Sequence, residues 1–260
     1  MDLTPSQILH QDDQLLVIHK PSGVVVNRAT SVKVPTIMDW LFEKYPELIS
    51  GQIAPQKMKQ YHAAQDWQTF NYYNFYYRAG IVHRLDKETS GVLIIAKTPD
   101  TYLQLLEEFR ERRVQKKYLA LAHGQVEPAS GTIDAPVGRL PWNRKRFGVL
   151  AGGRPAITEY QANQSFTSQM KQYHDPKFTL LECYPQTGRT HQIRIHLQHL
   201  GHAIVSDKLY VGRKTYRKDS KWCDRLFLHA SQLTILDQTF KSPLPQELQT
   251  VLSHLHTSAN

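Results

Sequence analysis

Long apolar runs are missing from this 260-residue chain. No stretch reaches the roughly 18 consecutive apolar residues that a membrane-crossing helix needs, so neither a span nor a membrane partner is expected. Met1 to Gln11 is polar and offers no apolar signal stretch. Cysteine is scarce, with only Cys183 and Cys223. Two thiols cannot build a disulfide framework, and a reducing compartment, the cytoplasm, is expected. Acidic residues are in deficit, 23 against 32 lysines and arginines, for a net charge of +9. With 40% hydrophobic and 21% charged residues, a disordered chain is not expected. The length suffices to bury a core without disulfides or metals.

The positive charge that is present is concentrated. Arg110 to Arg146 holds nine basic and three acidic residues, and Lys208 to Arg225 holds seven and two. A focused basic field calls for a polyanionic partner. Within the first stretch, Arg144, Lys145 and Arg146 sit in a glycine-punctuated excursion over 138–154, read as loops, where they can meet phosphates.

Apolar spacing gives the elements. Leu15 to Ile18 is a strand that stops at Lys20-Pro21-Ser22-Gly23. Thr36 to Tyr45 has helical spacing and ends before Pro46. Residues 51–79 form a Gln-, Asn- and Tyr-rich insertion. Its aromatics, Tyr72 to Tyr77, suit an aromatic strand packed on the core better than a base-stacking platform. Gly91 to Ala96 is a strand apolar enough to be buried on both faces. A helix capped by Asp100 follows, with Tyr102, Leu105, Leu106 and Phe109 as its stripe. Tyr118 to Ala122 and Phe178 to Tyr184 are strands. Thr190 is placed to cap a helix from His191 to Leu200, with Gly201 as its stop. Leu226 to His229 and Leu233 to Ile235 are two late strands. The irregular mixture predicts an α+β fold around a mixed, mostly antiparallel sheet with flanking helices, in one domain over 1–260.

Two polar clusters can carry chemistry. His83-Arg84-Leu85-Asp86-Lys87-Glu88-Thr89-Ser90 immediately precedes the buried strand, where a rigid scaffold presents reactive groups. Thr187-Gly188-Arg189-Thr190-His191-Gln192-Ile193-Arg194 is a glycine turn into a helix start, a site for an anion. Arg194 opposes the helix dipole there and therefore needs a carboxylate or phosphate partner. His191, His196, His199 and His202 crowd the same helix. No carboxylate or cysteine stands at metal-ligand spacing beside them, so ordinary polar or core histidines are expected.

RAGIVHRLDKETSG (Arg78 to Gly91) resembles the catalytic motif of the RluA-type pseudouridine synthases. KPSGVVV (Lys20 to Val26), VQKKYLALAHG (Val114 to Gly124), PQTGRTHQIRIHLQHLGHAIVSDKLY (Pro185 to Tyr210) and RLFLHA (Arg225 to Ala230) resemble further blocks of that family, in the family's order. The resemblance implies the pseudouridine synthase fold with an active-site cleft, and an isomerase that turns an RNA uridine into pseudouridine. The base leaves its ribose, rotates and rejoins through C5. The resemblance makes Asp86 the catalytic aspartate, acting at C1′ or through a glycal route. It makes Arg194 the partner of Asp86, and Tyr118 the ring that stacks on the uracil. Arg84 takes the place of the flipped base. His83, Thr89, Arg189 and His191 complete the substrate-binding set, with His83, Thr89 and Ser90 ordering the loop rather than reacting. Redox-neutral chemistry implies no cofactor and no metal.

The implied substrate is a structured ribosomal or transfer RNA, and the protein is expected to be a monomer acting in rRNA or tRNA processing. Many relatives carry a small N-terminal RNA-binding domain, which the few residues before the first strand do not provide. A catalytically inactive RNA-binding relative is the alternative, but Asp86, Tyr118 and Arg194 are all intact. A metal-dependent nuclease using His83 and Asp86 would need clustered carboxylates, and the acids are scattered.

Overall fold

The computed structural model describes residues 7–30, 32–48, 55–143, 146–168, 173 and 177–257. The chain forms two compact units, 1–114 with 234–242, and 115–233 with 243–260. The first unit runs β1 (Ile8–Gln11), β2 (Leu15–Lys20), α1 (Ile37–Lys44), α2 (Pro55–Ala63), α3 (Trp67–Tyr77), β3 (Ser90–Ala96) and α4 (Pro99–Arg110). Then come β4 (Gln115–His123), β5 (Ser130–Asp134), β6 (Val137–Arg139), β7 (Phe147–Val149), β8 (Ile157–Thr167), β9 (Lys177–Pro185), α5 (Gln192–His199) and α6 (Arg213–Asp219). The chain continues through β10 (Leu228–Ile235), β11 (Gln238–Lys241), α7 (Gln246–Ser253) and β12 (His256–Thr257).

In the first unit β2 pairs antiparallel with β1 and with β3, in a register that sets Leu15 opposite Ala96 and Lys20 opposite Gly91. All seven residues of β3 are buried, as its unbroken apolar run requires. Each fully buried Leu or Ile contributes roughly 1.5–3 kcal/mol. α1 starts on a reciprocal cap, Thr36 Oγ1 accepting from Asp39 N and Asp39 Oδ2 accepting from Thr36 N. It buries Ile37, Met38, Trp40, Leu41 and Phe42.

In the second unit the strands lie in the order β10-β4-β9-β8-β12, with β5 also on β8. The β4–β9, β9–β8, β5–β8 and β12–β8 pairings are antiparallel. Ala120, Leu121, Phe178 and Leu181 from the strands, Leu197 from α5 and Leu248 from α7 fall in one buried cluster. The α+β architecture with a mostly antiparallel sheet is therefore as predicted.

Several local expectations need correction. The Tyr-rich segment is the helix α3, preceded by the helix α2, and not a strand. Thr98, not Asp100, caps α4, accepting from Thr101 N, because Pro99 takes the first helical position and places the cap two residues earlier. His191, not Thr190, is the residue at the start of α5, and it makes no side-chain cap bond. The two late strands are one strand, β10. The 138–154 excursion contains the antiparallel pair β6–β7 rather than loops alone.

Gly80 is where the helical hairpin enters the sheet. Its φ is +69°, and a Cβ built there lies 1.9 Å from the carbonyl oxygen of Ala96. Gly80→Ala must therefore distort either the turn or β3. It is expected to destabilise the fold by about 3 kcal/mol, read by urea unfolding. A variant within about 0.5 kcal/mol of the parent would show that this contact yields freely.

Candidate active site

In the first unit the loop before β3 presents its residues alternately. Arg84 is exposed, Leu85 is buried and Asp86 is half-buried. Leu85 thus anchors the two polar neighbours. The carbonyl of Asp86 accepts from Thr89 N at 3.2 Å, closing a turn over Lys87 and Glu88. That turn is gripped from the end of β2. Lys20, fully buried, donates from Nζ to Pro21 O at 2.8 Å, Val24 O at 2.9 Å and Lys87 O at 3.2 Å. Gly23 N donates to Lys87 O at 2.8 Å, and Ser22 Oγ to Glu88 O at 2.7 Å. Gly23 turns with φ +81°, a left-handed conformation that favours glycine. The Lys-Pro-Ser-Gly motif is therefore a clamp on the Asp86 loop, a role its residues did not announce.

His83 is held in place. Its Nε2 accepts from Ile94 N at 3.0 Å, and its ring stacks on Phe109 at 5.0 Å. Thr89 is 2% exposed, and among the described residues its Oγ1 has no hydrogen-bond partner.

The second unit gathers a different set. Arg194 is 2% exposed and ion-paired in two places to the fully buried Asp207, Nε to Oδ2 at 2.7 Å and Nη2 to Oδ1 at 2.9 Å. Asp207 Oδ1 also accepts from Leu209 N and Tyr210 N at 3.0 and 3.2 Å. Tyr210 is the hub. The guanidinium carbons of Arg194 and Arg146 lie 5.2 and 5.3 Å from its ring centre, and its hydroxyl meets His191 Nδ1 at 2.9 Å. Burial pushes its phenol pKa up, so it stays neutral. His191 adopts the left-handed conformation, φ 57°. Arg146, His191 and Arg194 are thus brought together, while Arg144 and Lys145 lie outside the described residues.

Gln192 ties the turn before α5 to β8. Its Oε1 accepts from Thr187 Oγ1 at 2.7 Å and Arg189 N at 3.0 Å; its Nε2 donates to Ile157 O and Thr158 Oγ1, both at 2.9 Å. All four of its bonding positions are used. Arg189 Nε donates to Pro155 O at 3.0 Å. Tyr118 is half-buried in β4, opposite Cys183 of β9. Asp207, Tyr210, Gln192 and Lys20 were not anticipated. Asp207 carried a signal nonetheless, being the only acid between Glu182 and Asp219.

Of the other histidines near Arg194, His196 and His202 are engaged by neighbours. His196 is fully buried, its Nδ1 paired with Thr158 Oγ1 at 2.9 Å and its Nε2 with Ala135 O at 3.0 Å. His202 Nδ1 meets His123 O at 2.9 Å. Burial pushes the pKa of His196 down from 6.5. The unfolded chain then binds the proton more readily than the folded one. This part of the stability is complete above about pH 6.5 and is lost as pH falls below it. Melting temperature is expected to drop from pH 7.5 to 5.5, and His196→Gln to flatten that slope; an unchanged slope would remove His196 as its source.

The profile of the RNA pseudouridylate synthase family matches residues 14–199. An uncharacterized RNA pseudouridine synthase of Chloroflexus aurantiacus is 38% identical over 249 residues, covering 93% of this chain and 67% of that protein. The ribosomal large subunit pseudouridine synthase D of Nitrosomonas europaea is 35% identical over 260 residues, covering 95% and 64%. The chain thus spans about two thirds of the length of these relatives. Human RNA Pseudouridylate Synthase Domain Containing 1 shares the fold, with a TM-score of 0.67 at 23% identity over 99% of this chain and 92% of that one.

Proposed function

We propose that this chain, which belongs to the RNA pseudouridylate synthase family, an isomerase family, converts a specific uridine of a structured RNA to pseudouridine. Ribosomal RNA is the favoured substrate, on the name of the Nitrosomonas relative, and transfer RNA the alternative. The observation that carries the reading is the half-buried Asp86 on a turn whose backbone is clamped by Lys20, Ser22 and Gly23. A carboxylate that must meet one sugar carbon needs such fixed placement.

In the proposed reaction the bond from uracil N1 to C1′ breaks with help from the Asp86 carboxylate. The base turns, C5 bonds to C1′, and the hydrogen at C5 leaves as a proton while N1 gains one. Tyr118 stacks on the uracil, and the exposed Arg84 fills the space that the flipped base vacates. Arg189 and His191, with Arg146, meet the RNA from the second unit. Both cysteines are free and buried, which fits work in the cytoplasm.

The test is RNA tritiated at uracil C5, prepared from a strain lacking this gene. The wild-type protein is expected to release tritium to water. Mapping of pseudouridine in that strain against its parent then names the site. No release and no missing pseudouridine would overturn the assignment.

A further inference from the structure

The helical hairpin of α2 and α3 has no part in the reaction above. From Pro55 to Arg78 the chain carries eight rings of Phe, Trp and Tyr, a third of the residues there. Packing uses few of them. Phe75 is the only buried residue of α3, meeting the buried Tyr102 at 5.8 Å. Trp67, Tyr72 and Tyr77 are 49%, 44% and 48% exposed. Four aromatic side chains are this exposed among the described residues, and three of them are on this one helix.

Their spacing separates two kinds of partner. A helix or an apolar protein groove needs a single stripe at i, i+3, i+4 and i+7. Trp67, Tyr72 and Tyr77 stand five residues apart. Each step is about 7.5 Å along the helix axis and roughly 140° around it, so they make no stripe. Separate rings offered in different directions suit separate flat bases. Two of these rings are also braced: Tyr76 lies against Tyr72 at 5.4 Å, and His62 meets Trp67 at 5.0 Å. Bracing reduces the ordering cost of binding.

The charge is complementary to a polyanion. Lys57, Lys59 and Arg78 stand against one acid, Asp66, whose Oδ1 is engaged in capping α3 through Thr69 N at 3.1 Å. The hairpin also leads directly to the Asp86 loop. Gly80 is pinned against Ala96, and Ile81 bridges to Ile95.

We propose that the α2–α3 hairpin binds an unpaired segment of the substrate RNA, with Trp67, Tyr72 and Tyr77 stacking on bases and Lys57 and Lys59 meeting phosphates. This rests on the isomerase reading for its substrate. A fluorescein-labelled oligouridylate of about 12 nucleotides is the probe, within the span that such surfaces cover. The triple variant Trp67→Ala, Tyr72→Ala, Tyr77→Ala is expected to lose at least roughly tenfold in affinity by fluorescence anisotropy. The triple change of the same residues to Phe keeps the rings and is expected to stay within about threefold of the wild type. Affinity for an RNA duplex of similar length should be the same for all three proteins, because paired bases offer no free face.

Unchanged oligouridylate affinity in the Ala variant overturns the proposal, as does an equal loss on the duplex. A wild-type dimer that the Ala variant turns into a monomer, by light scattering, overturns it in favour of self-association. Tritium release by the wild type is measured in parallel. Its absence overturns the isomerase, whereas its presence with unchanged oligouridylate affinity overturns only the hairpin's role.

Discussion

Asp86→Asn is expected to give a folded protein that binds RNA and releases no measurable tritium from uracil C5. Asparagine keeps the size of the side chain and the backbone of the turn. The contacts that fix the loop, from Lys20, Ser22 and Gly23, fall on the carbonyls of Lys87 and Glu88, which the substitution leaves in place. Unfolding free energy should therefore move by no more than about 1 kcal/mol. What disappears is the anionic oxygen that, in the proposed reaction, assists cleavage of the glycosidic bond. Removing the reacting group of an enzyme costs at least about 10⁴-fold in rate, even when every binding contact survives. RNA affinity measured alongside keeps a binding defect from passing for a chemical one. Multiple turnover by the purified Asn variant would remove Asp86 from the chemistry.

The parts of the fold that were legible in the sequence share one property, a local apolar pattern matching what the structure buries. Leu15 to Ile18 and Gly91 to Ala96 read as strands, and all ten of those residues are buried in β2 and β3. Where the pattern was ambiguous, propensity misled. Aromatic residues favour strands, and α3 has rings all round with no periodic stripe, so its helical state could not be read from spacing. The helix caps missed for a smaller reason. Pro99 moves the start of α4 two residues earlier and the left-handed His191 moves that of α5 one residue later, choices made by backbone geometry.

The candidate site was read through motifs, and the contacts that support its residues were not. Asp86, Tyr118 and Arg194 are named by blocks of sequence in order. Lys20, Gln192 and Tyr210 act through contacts between segments far apart in the chain, which no local pattern encodes. Asp207 lies between these cases. An arginine at a helix start needed an anionic partner, and one acid stood alone in a basic neighbourhood, yet only the fold joined them.

That pairing gives the largest expected change in stability. In Asp207→Asn the amide oxygen can still accept from Leu209 N and Tyr210 N, so the turn loses little. The negative charge of Asp207 is gone, and the guanidinium, 2% exposed, loses its two-point ion pair with it. Breaking a buried ion pair by removing one member costs about 3–5 kcal/mol. For a chain of this length that is about 10 °C in melting temperature. Arg194→Met with Asp207→Asn removes both charges and keeps an apolar side chain against the ring of Tyr210. The double variant is expected to regain more than half of the lost stability, because it removes the buried positive charge together with the carboxylate that faced it. Isomerisation should stay lost in the double variant, since Arg194 is an expected member of the site. Calorimetric scans of the four proteins of this cycle, with tritium release on each, check both halves. Asp207→Asn melting within about 2 °C of the wild type would mean that Arg194 is neutralised by another group, and that Asp207 shapes the turn without supporting the arginine.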